Sequence, residues 1–330
     1  MFRFILPLSL LALSTPSFAE QDTRQAFSRP QQLVDIGGRR LNLYCSGTGP
    51  VTVVFDAPSG SAGWSWFEVQ PQVAKRTRAC VYDRAGLGFS DPSPRPGTSG
   101  NAVDDLHKLL GAAGIAPPYL MVGNSYGGGN VQLYAYRYPA EVKGLVLVEP
   151  QHEDETIRLN KVSGGKLQGI YDQLGERDNA CVAQSEKGFD PGSEMWNTCI
   201  GTIPPNRGRV LGAAQLAVHR SASYWRAQHS ENVGFNVGNA ELRAARAPFG
   251  DLPVIVLSRG LSQYATPGKP ESALSKATEA ENKAIHKEIA ALSSRGSHRI
   301  VPGAHHVIHE EQPQAVVNVI GELLDKVGQH

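Results

Sequence analysis

From residue 32 to the C-terminus the chain alternates short apolar runs with longer segments of helical spacing, and that rhythm leaves few folds open. Val51-Thr52-Val53-Val54-Phe55, Ala79-Cys80-Val81-Tyr82, Tyr119-Leu120-Met121-Val122, Gly144-Leu145-Val146-Leu147-Val148 and Pro253-Val254-Ile255-Val256-Leu257 are almost uniformly apolar. Such runs mark strands buried on both faces. Between them lie a helix-like stretch at 65–76 that carries Pro71, a segment at 99–113 with Val103, Leu106, Leu109 and Leu110 at helical spacing, and a segment at 126–138 stopped by Pro139. Further helices are expected over 271–293 and 313–327. A hairpin at 32–36 and 40–45, turned at Gly37-Gly38, comes first, and a strand at 298–301 comes late. Strands alternating with helices predict an α/β fold: a mostly parallel eight-stranded sheet with helices on both faces. Sheets of this kind carry their active loops at the carboxyl ends of the strands.

The rhythm breaks at 151–247. This stretch has its own Gly-rich loops, two cysteines (Cys181 and Cys199) and aromatic helical pieces with Tyr171, Trp196, Tyr224 and Trp225. It reads as a helical cap inserted into a core made of 20–150 and 248–330. A length of 330 residues suits one large unit with such an insert. Lys+Arg number 32 and Asp+Glu 31. That balance argues against a nucleic-acid or polybasic membrane binder and leaves a small-molecule substrate as the expected partner.

Met1–Ala19 reads as a secretory signal peptide: Arg3 is the basic start, Phe4 to Leu13 the apolar stretch, and Ser17-Phe18-Ala19 a small-x-small cleavage site. An uncleaved anchor is the other reading, but the run is shorter than the roughly 20 residues a bilayer needs. The mature chain is therefore expected to be exported, periplasmic or secreted, with no stable membrane anchor. Four cysteines in an exported chain suggest two disulfides out of three possible pairings.

Gly123-Asn124-Ser125-Tyr126-Gly127 matches G-x-S-x-G. The pattern alone decides little, since an ordinary βα turn can carry it. Its context adds weight: an apolar strand leads directly into it, and Gly127, Gly128 and Gly129 open a helix directly after it. A sharp strand-to-helix turn needs small residues on both sides of the nucleophile. It lifts the serine hydroxyl above the sheet and points a helix N-terminus at it. Ser125 is thus the candidate nucleophile.

A serine needs a base. Of ten histidines, His298, His305, His306 and His309 are grouped near the C-terminus. A metal site is one reading, but no cysteine lies nearby and only Glu310 and Glu311 could assist, so neither metal nor cofactor is expected. The better reading is a loop after the last strand that places one histidine over the sheet.

These motifs together resemble the α/β-hydrolase superfamily, and within it capped serine esterases of the proline-iminopeptidase-like branch. Tyr82-Asp83-Arg84-Ala85-Gly86-Leu87-Gly88-Phe89-Ser90 is similar to the family's D-x-x-G-x-G-x-S turn after the fourth strand. His306-Val307-Ile308-His309-Glu310-Glu311-Gln312-Pro313 is similar to its terminal loop, in which the catalytic histidine precedes the proline by seven positions. That register implies His306, and not His305 or His309, as the base. The resemblance covers roughly 30–150 and 250–328.

Two departures from the family matter. Where it often has His-Gly after the third strand, this chain has Phe55-Asp56-Ala57-Pro58-Ser59-Gly60. Pro58 has no N–H to offer. Counting back from Trp66 puts Ser59 at the oxyanion-donor position, with the Tyr126 N–H as the second donor. The usual acid after the strand at 253–257 is also missing, since Leu257-Ser258-Arg259-Gly260-Leu261-Ser262-Gln263 holds no carboxylate. Some members place the acid after the preceding strand, where Glu149 stands. Glu149 is the first candidate, with Glu271 and Asp154 behind it.

The resemblance implies a serine hydrolase that cleaves a carboxylic ester through an acyl-enzyme. Peptide, lactone or C–C cleavage on the same triad, and a non-catalytic binder on the same fold, remain open. In the implied fold the second strand lies antiparallel beside the fourth. Cys45 and Cys80 then meet at one edge of the sheet, and Cys181 pairs with Cys199 within the cap.

Overall fold

The computed structural model describes residues 18–265 and 268–327. The expected leader at 1–19 lies outside these residues except for Phe18 and Ala19, which open helix α1 (Phe18–Phe27).

Eight strands form one sheet: β1 (Gln32–Asp35), β2 (Arg40–Ser46), β3 (Thr52–Asp56), β4 (Arg78–Tyr82), β5 (Tyr119–Asn124), β6 (Val142–Val148), β7 (Val254–Arg259) and β8 (Gly296–Val301). Their spatial order is β1-β2-β4-β3-β5-β6-β7-β8. The β1/β2 and β2/β4 pairs are antiparallel, and every later pair is parallel. Side chains alternate across the sheet, so each apolar strand feeds two cores. Val53, Phe55, Val81, Val122, Val146, Val148 and Leu257 face one side, where they pack against α2 (Gln70–Val73) and α11 (Pro313–Val327) through Val73, Val316, Ile320 and Leu323. Val54, Tyr82, Met121, Leu145, Leu147 and Val256 face the other. There they meet α3 (Ser99–Ala112), α4 (Tyr126–Arg137) and α9 (Ala273–Ala290) through Leu106, Leu109, Val131, Leu133, Ile285 and Ile289. This two-sided burial is why the strands read as continuous apolar runs.

The helix expected over 65–76 is interrupted. A 3₁₀ turn at Gly63–Trp66 is followed by the short α2, with Pro71 at its second position. Proline cannot donate to a preceding carbonyl, so it is tolerated in a first turn and not in the middle of a longer helix.

Between β6 and β7 the chain forms α5 (Glu155–Val162), α6 (Lys166–Ser185), α7 (Gly208–His219) and α8 (Ala222–Ala245). Helix α8 packs on α3, α4 and α6, and α5 packs on α9. Cys181 on α6 is bonded to Cys199 in the π-helical turn Trp196–Ile200, with a Cα–Cα distance of 5.6 Å. Around this bridge Leu87, Phe189, Ile200, Tyr224 and Trp225 form a third, smaller core. Cys45 sits directly opposite Cys80 in the β2/β4 ladder and is bonded to it. Two disulfides suit an oxidising compartment. Among the described residues no helix is long and apolar enough to cross a membrane.

Candidate active site

Ser125 stands between β5 and α4 with φ 53° and ψ −120°, a backbone conformation that non-glycine residues rarely adopt. The elbow holds because its neighbours lack side chains. A Cβ on Gly123 would lie 2.3 Å from the Gly127 carbonyl oxygen, and one on Gly127 would lie 2.4 Å from that of Asp56. The sheet fixes the turn from both sides: the Ser125 N–H donates to Val148 O at 3.1 Å, and the Gln151 N–H donates to Ser125 O at 2.9 Å.

Glu149 stands at the end of β6, also at positive φ (46°), with its N–H bonded to Leu257 O on β7. It is 2% exposed. Its Oε2 lies 3.3 Å from His306 Nδ1. His306 comes from the loop between β8 and α10 (Ile308–Glu311), and 36% of its side chain is exposed. Asn124 ties the three pieces together: its side-chain amide donates to Val148 O at 2.8 Å and to His306 O at 3.2 Å. Among the described residues Ser125 Oγ makes no hydrogen bond. His306 is therefore held by its acid and by its backbone, and the serine is placed by its elbow.

The other acids and histidines go elsewhere. Asp154 pairs with Arg243, and Glu271 accepts from Ser275 Oγ at 2.8 Å. His305 is exposed and faces Glu311. His309 is fully buried, its ring 4.1 Å from that of Trp66, so it is a packing residue rather than a spare base. His298 contacts Ser258 Oγ at 2.7 Å, and Ser258 Oγ lies 2.6 Å from His286 Nδ1. His152, Glu153 and Asp154 are spaced as metal ligands could be, but Arg246 and Arg243 already bind their polar atoms. A set held by two guanidinium groups is a poor fit to a cation.

Sequence reasoning overlooked Arg259. It occupies the strand end where the family's acid usually stands. Its backbone N–H donates to Glu149 Oε1 at 2.6 Å, and its guanidinium binds Glu149 Oε2 and, at 2.8 Å, Glu279 Oε1. Burial alone would raise the Glu149 pKa. The His306 hydrogen bond, with the charges of His286, Arg259 and His306, outweighs burial and brings it down to about 2. Glu149 is thus ionised throughout the physiological range. Burial also lowers His286 to about 4, so that ring is neutral at pH 7. On the side of the inserted helices, burial raises the Glu155 carboxyl, which feels the charges of His306, Arg259 and Glu149. Tyr171 and Tyr264 lie in the same electrostatic neighbourhood.

The oxyanion candidates flank the elbow. The Tyr126 N–H opens α4, and Ser59 lies in the turn after β3. No hydrogen bond among the described residues takes up either N–H.

The sequence model of the family described as alpha/beta hydrolase fold matches residues 58–190. The chain has the α/β-hydrolase fold. YqjL of Bacillus subtilis is 25% identical to this chain over 270 residues, 82% of each protein. The 2-hydroxymuconate semialdehyde hydrolase of a Pseudomonas strain is 35% identical over 128 residues, 36% of this chain and 45% of that one. A thermophilic esterase from Thermogutta terrifontis shares the fold with a TM-score of 0.54 and 19% identity, over 91% of this chain and 99% of its own. Not all of these matches run the full length of the relative: against B. subtilis YbdG the match spans 44%.

Proposed function

We propose that the protein is a serine hydrolase that cleaves a carboxylic ester of small or medium size through an acyl-enzyme. One observation carries this reading: Glu149 Oε2 lies 3.3 Å from the Nδ1 of His306, and both stand beside a serine on a strained elbow. The relatives named as hydrolases and the esterase that shares the fold support the same class.

In this reading the His306 Nδ1–H donates to Glu149, which leaves Nε2 free as a base. Nε2 takes the proton of Ser125 Oγ as Oγ bonds to the substrate carbonyl carbon. The carbonyl oxygen becomes an oxyanion, which the Tyr126 and Ser59 N–H groups receive, each worth about 10² in rate or more. The carbon–oxygen bond to the alcohol then breaks, and the alcohol leaves with the proton from Nε2. Water gives a proton to Nε2 as its oxygen bonds to the acyl carbon; the acyl–Oγ bond then breaks, Oγ takes the proton back from Nε2, and the carboxylic acid leaves. An ester is the favoured bond because an alkoxide leaves more readily than an amine. The helices at 151–247 act as a cap over the serine; Glu155 and Tyr171 belong to it, and Tyr264, on the loop after β7, interacts with both. The protein works in an oxidising, exported location.

A fluorophosphonate probe tests the reading. Covalent labelling at Ser125, lost in Ser125→Ala, together with turnover of p-nitrophenyl esters, supports it. Folded protein that neither labels nor turns over any ester would make the chain a binder on a hydrolase fold.

A further inference from the structure

We infer that Glu231, on the inserted helix α8, is a positioning residue for the oxyanion loop, so that the seat of α8 on the core sets the catalytic geometry. The inference rests on the serine-hydrolase reading and deepens it.

The turn after β3 is gripped at nearly every polar atom. Arg84 donates from Nη1 to the carbonyl of Ala57 at 2.7 Å and from Nη2 to that of Pro58 at 2.8 Å. It also pairs with Asp56 Oδ1 at 2.6 Å, and Asp56 Oδ2 accepts from Tyr82 at 2.8 Å and Asn130 at 3.1 Å. These contacts all come from the core. The next two residues are held from the insertion: Glu231 Oε2 accepts from Ser59 Oγ at 2.9 Å and from the Gly60 N–H at 2.8 Å. Its Oε1 closes the ring on Arg84 Nε at 2.6 Å. What remains in this turn is the Ser59 N–H, flanked on both sides by groups tied to one Arg84–Glu231 pair. That pair is itself buried, each partner at 5% exposure.

This arrangement answers the problem that Pro58 creates. A loop with proline where the family often has glycine has only the following N–H to offer, and that N–H must be aimed to a few tenths of an ångström to serve a developing oxyanion. The Glu231 carboxylate fixes the Ser59–Gly60 peptide plane through the Gly60 N–H and the serine side chain through its Oγ, and the Arg84 it holds fixes the Pro58–Ser59 plane through the Pro58 carbonyl. The carboxylate lies 172 positions along the chain from Ser59, on an inserted helix. A shift of α8 therefore moves the oxyanion donor along with the substrate pocket.

Glu231→Gln keeps the shape but presents one acceptor to four donors, the Ser59 hydroxyl, the Gly60 N–H and Arg84 Nε and Nη2. We expect kcat for a p-nitrophenyl ester to fall at least tenfold with KM changed less than threefold. Affinity for a trifluoromethyl ketone, whose hemiketal carries the oxyanion, should fall in parallel. Glu231→Asp, which keeps the carboxylate, should recover part of the loss. A residue that merely held α8 in place would raise KM or lower the melting temperature and leave kcat alone; that result overturns the inference. Should Glu231→Gln fail to fold, Ser59→Ala removes one contact of the same carboxylate, and an unchanged kcat there overturns it equally. Wild type that labels with fluorophosphonate and turns over while Glu231→Gln matches it within twofold defeats this inference alone. Wild type that does neither defeats the hydrolase reading beneath it.

Discussion

His306 Nδ1 lies 3.3 Å from Glu149 Oε2, and the acid stands at the end of β6 rather than β7. The strand end left over is occupied by Arg259, whose backbone and side chain both bind the same carboxylate. The exchange is physically coherent. The acid is 2% exposed, and the His306 hydrogen bond and the His286 charge, together with the Arg259 cation in the vacated place, favour its ionised form.

Glu149→Gln should lower kcat by about 10²–10⁴ with little change in KM, because the acid orients His306 and stabilises the imidazolium only as it forms. Steady-state kinetics on a p-nitrophenyl ester check this. A kcat near wild type would remove Glu149 from the mechanism.

The histidine variants should separate function from packing. His306→Ala should abolish turnover and leave the fold intact. His305→Ala, at an exposed site, should change neither. His309→Ala should cost about 2–4 kcal/mol of stability, since it empties a buried site beside Trp66. Urea denaturation alongside kinetics reads all three. The register of the terminal loop sets His309 aside as a base, and the structure adds that its ring packs in the core beside Trp66.

Stability should fall on acidification in two windows. His286 is held down to about 4 and His309 to about 3 by burial. Below about pH 6.5 the unfolded chain binds protons that these folded rings refuse, so stability declines down to their folded pKa values. Glu149, held at about 2, contributes stability that is complete above its unfolded value near 4.5 and is lost as pH falls through 2. Thermal melts from pH 8 to 2 should show both slopes. Glu149→Gln should flatten the second, and an unchanged profile in that variant would refute the assignment.

The Cys181–Cys199 bridge closes 18 positions of chain around the smallest of the three cores. Chain entropy values such a loop at about 3 kcal/mol. Cys181→Ser/Cys199→Ser should therefore lower the melting temperature by several degrees and raise proteolysis within 155–245 first. Cleavage starting in the sheet would contradict this.

Much of the architecture was legible in the chain itself. Continuous apolar strands such as Val51–Phe55 are required by burial on both faces, and local spacing shows it. The elbow was legible because its steric demand falls on adjacent residues: Gly123 and Gly127 are small where a Cβ would strike backbone. The Cys45–Cys80 pairing followed once the strand order was inferred. The interrupted helix at 63–73 was not anticipated, although Pro71 carried the signal.

What only the tertiary structure decided is which distant side chains converge. Glu149, Glu271 and Asp154 are equally acidic on paper. The crossover from β6 to β7 and the turn after β8 bring only the first of these to His306, 157 positions away. Arg259 and Glu231 are ordinary charged residues in sequence, and each acquires its place through partners more than 100 positions distant. Periodicity reports the environment of a backbone segment, because burial repeats with the local helix or strand. The meeting of single polar groups across elements leaves no such repeat, so it is fixed by the packing of the sheet and the helices inserted beside it.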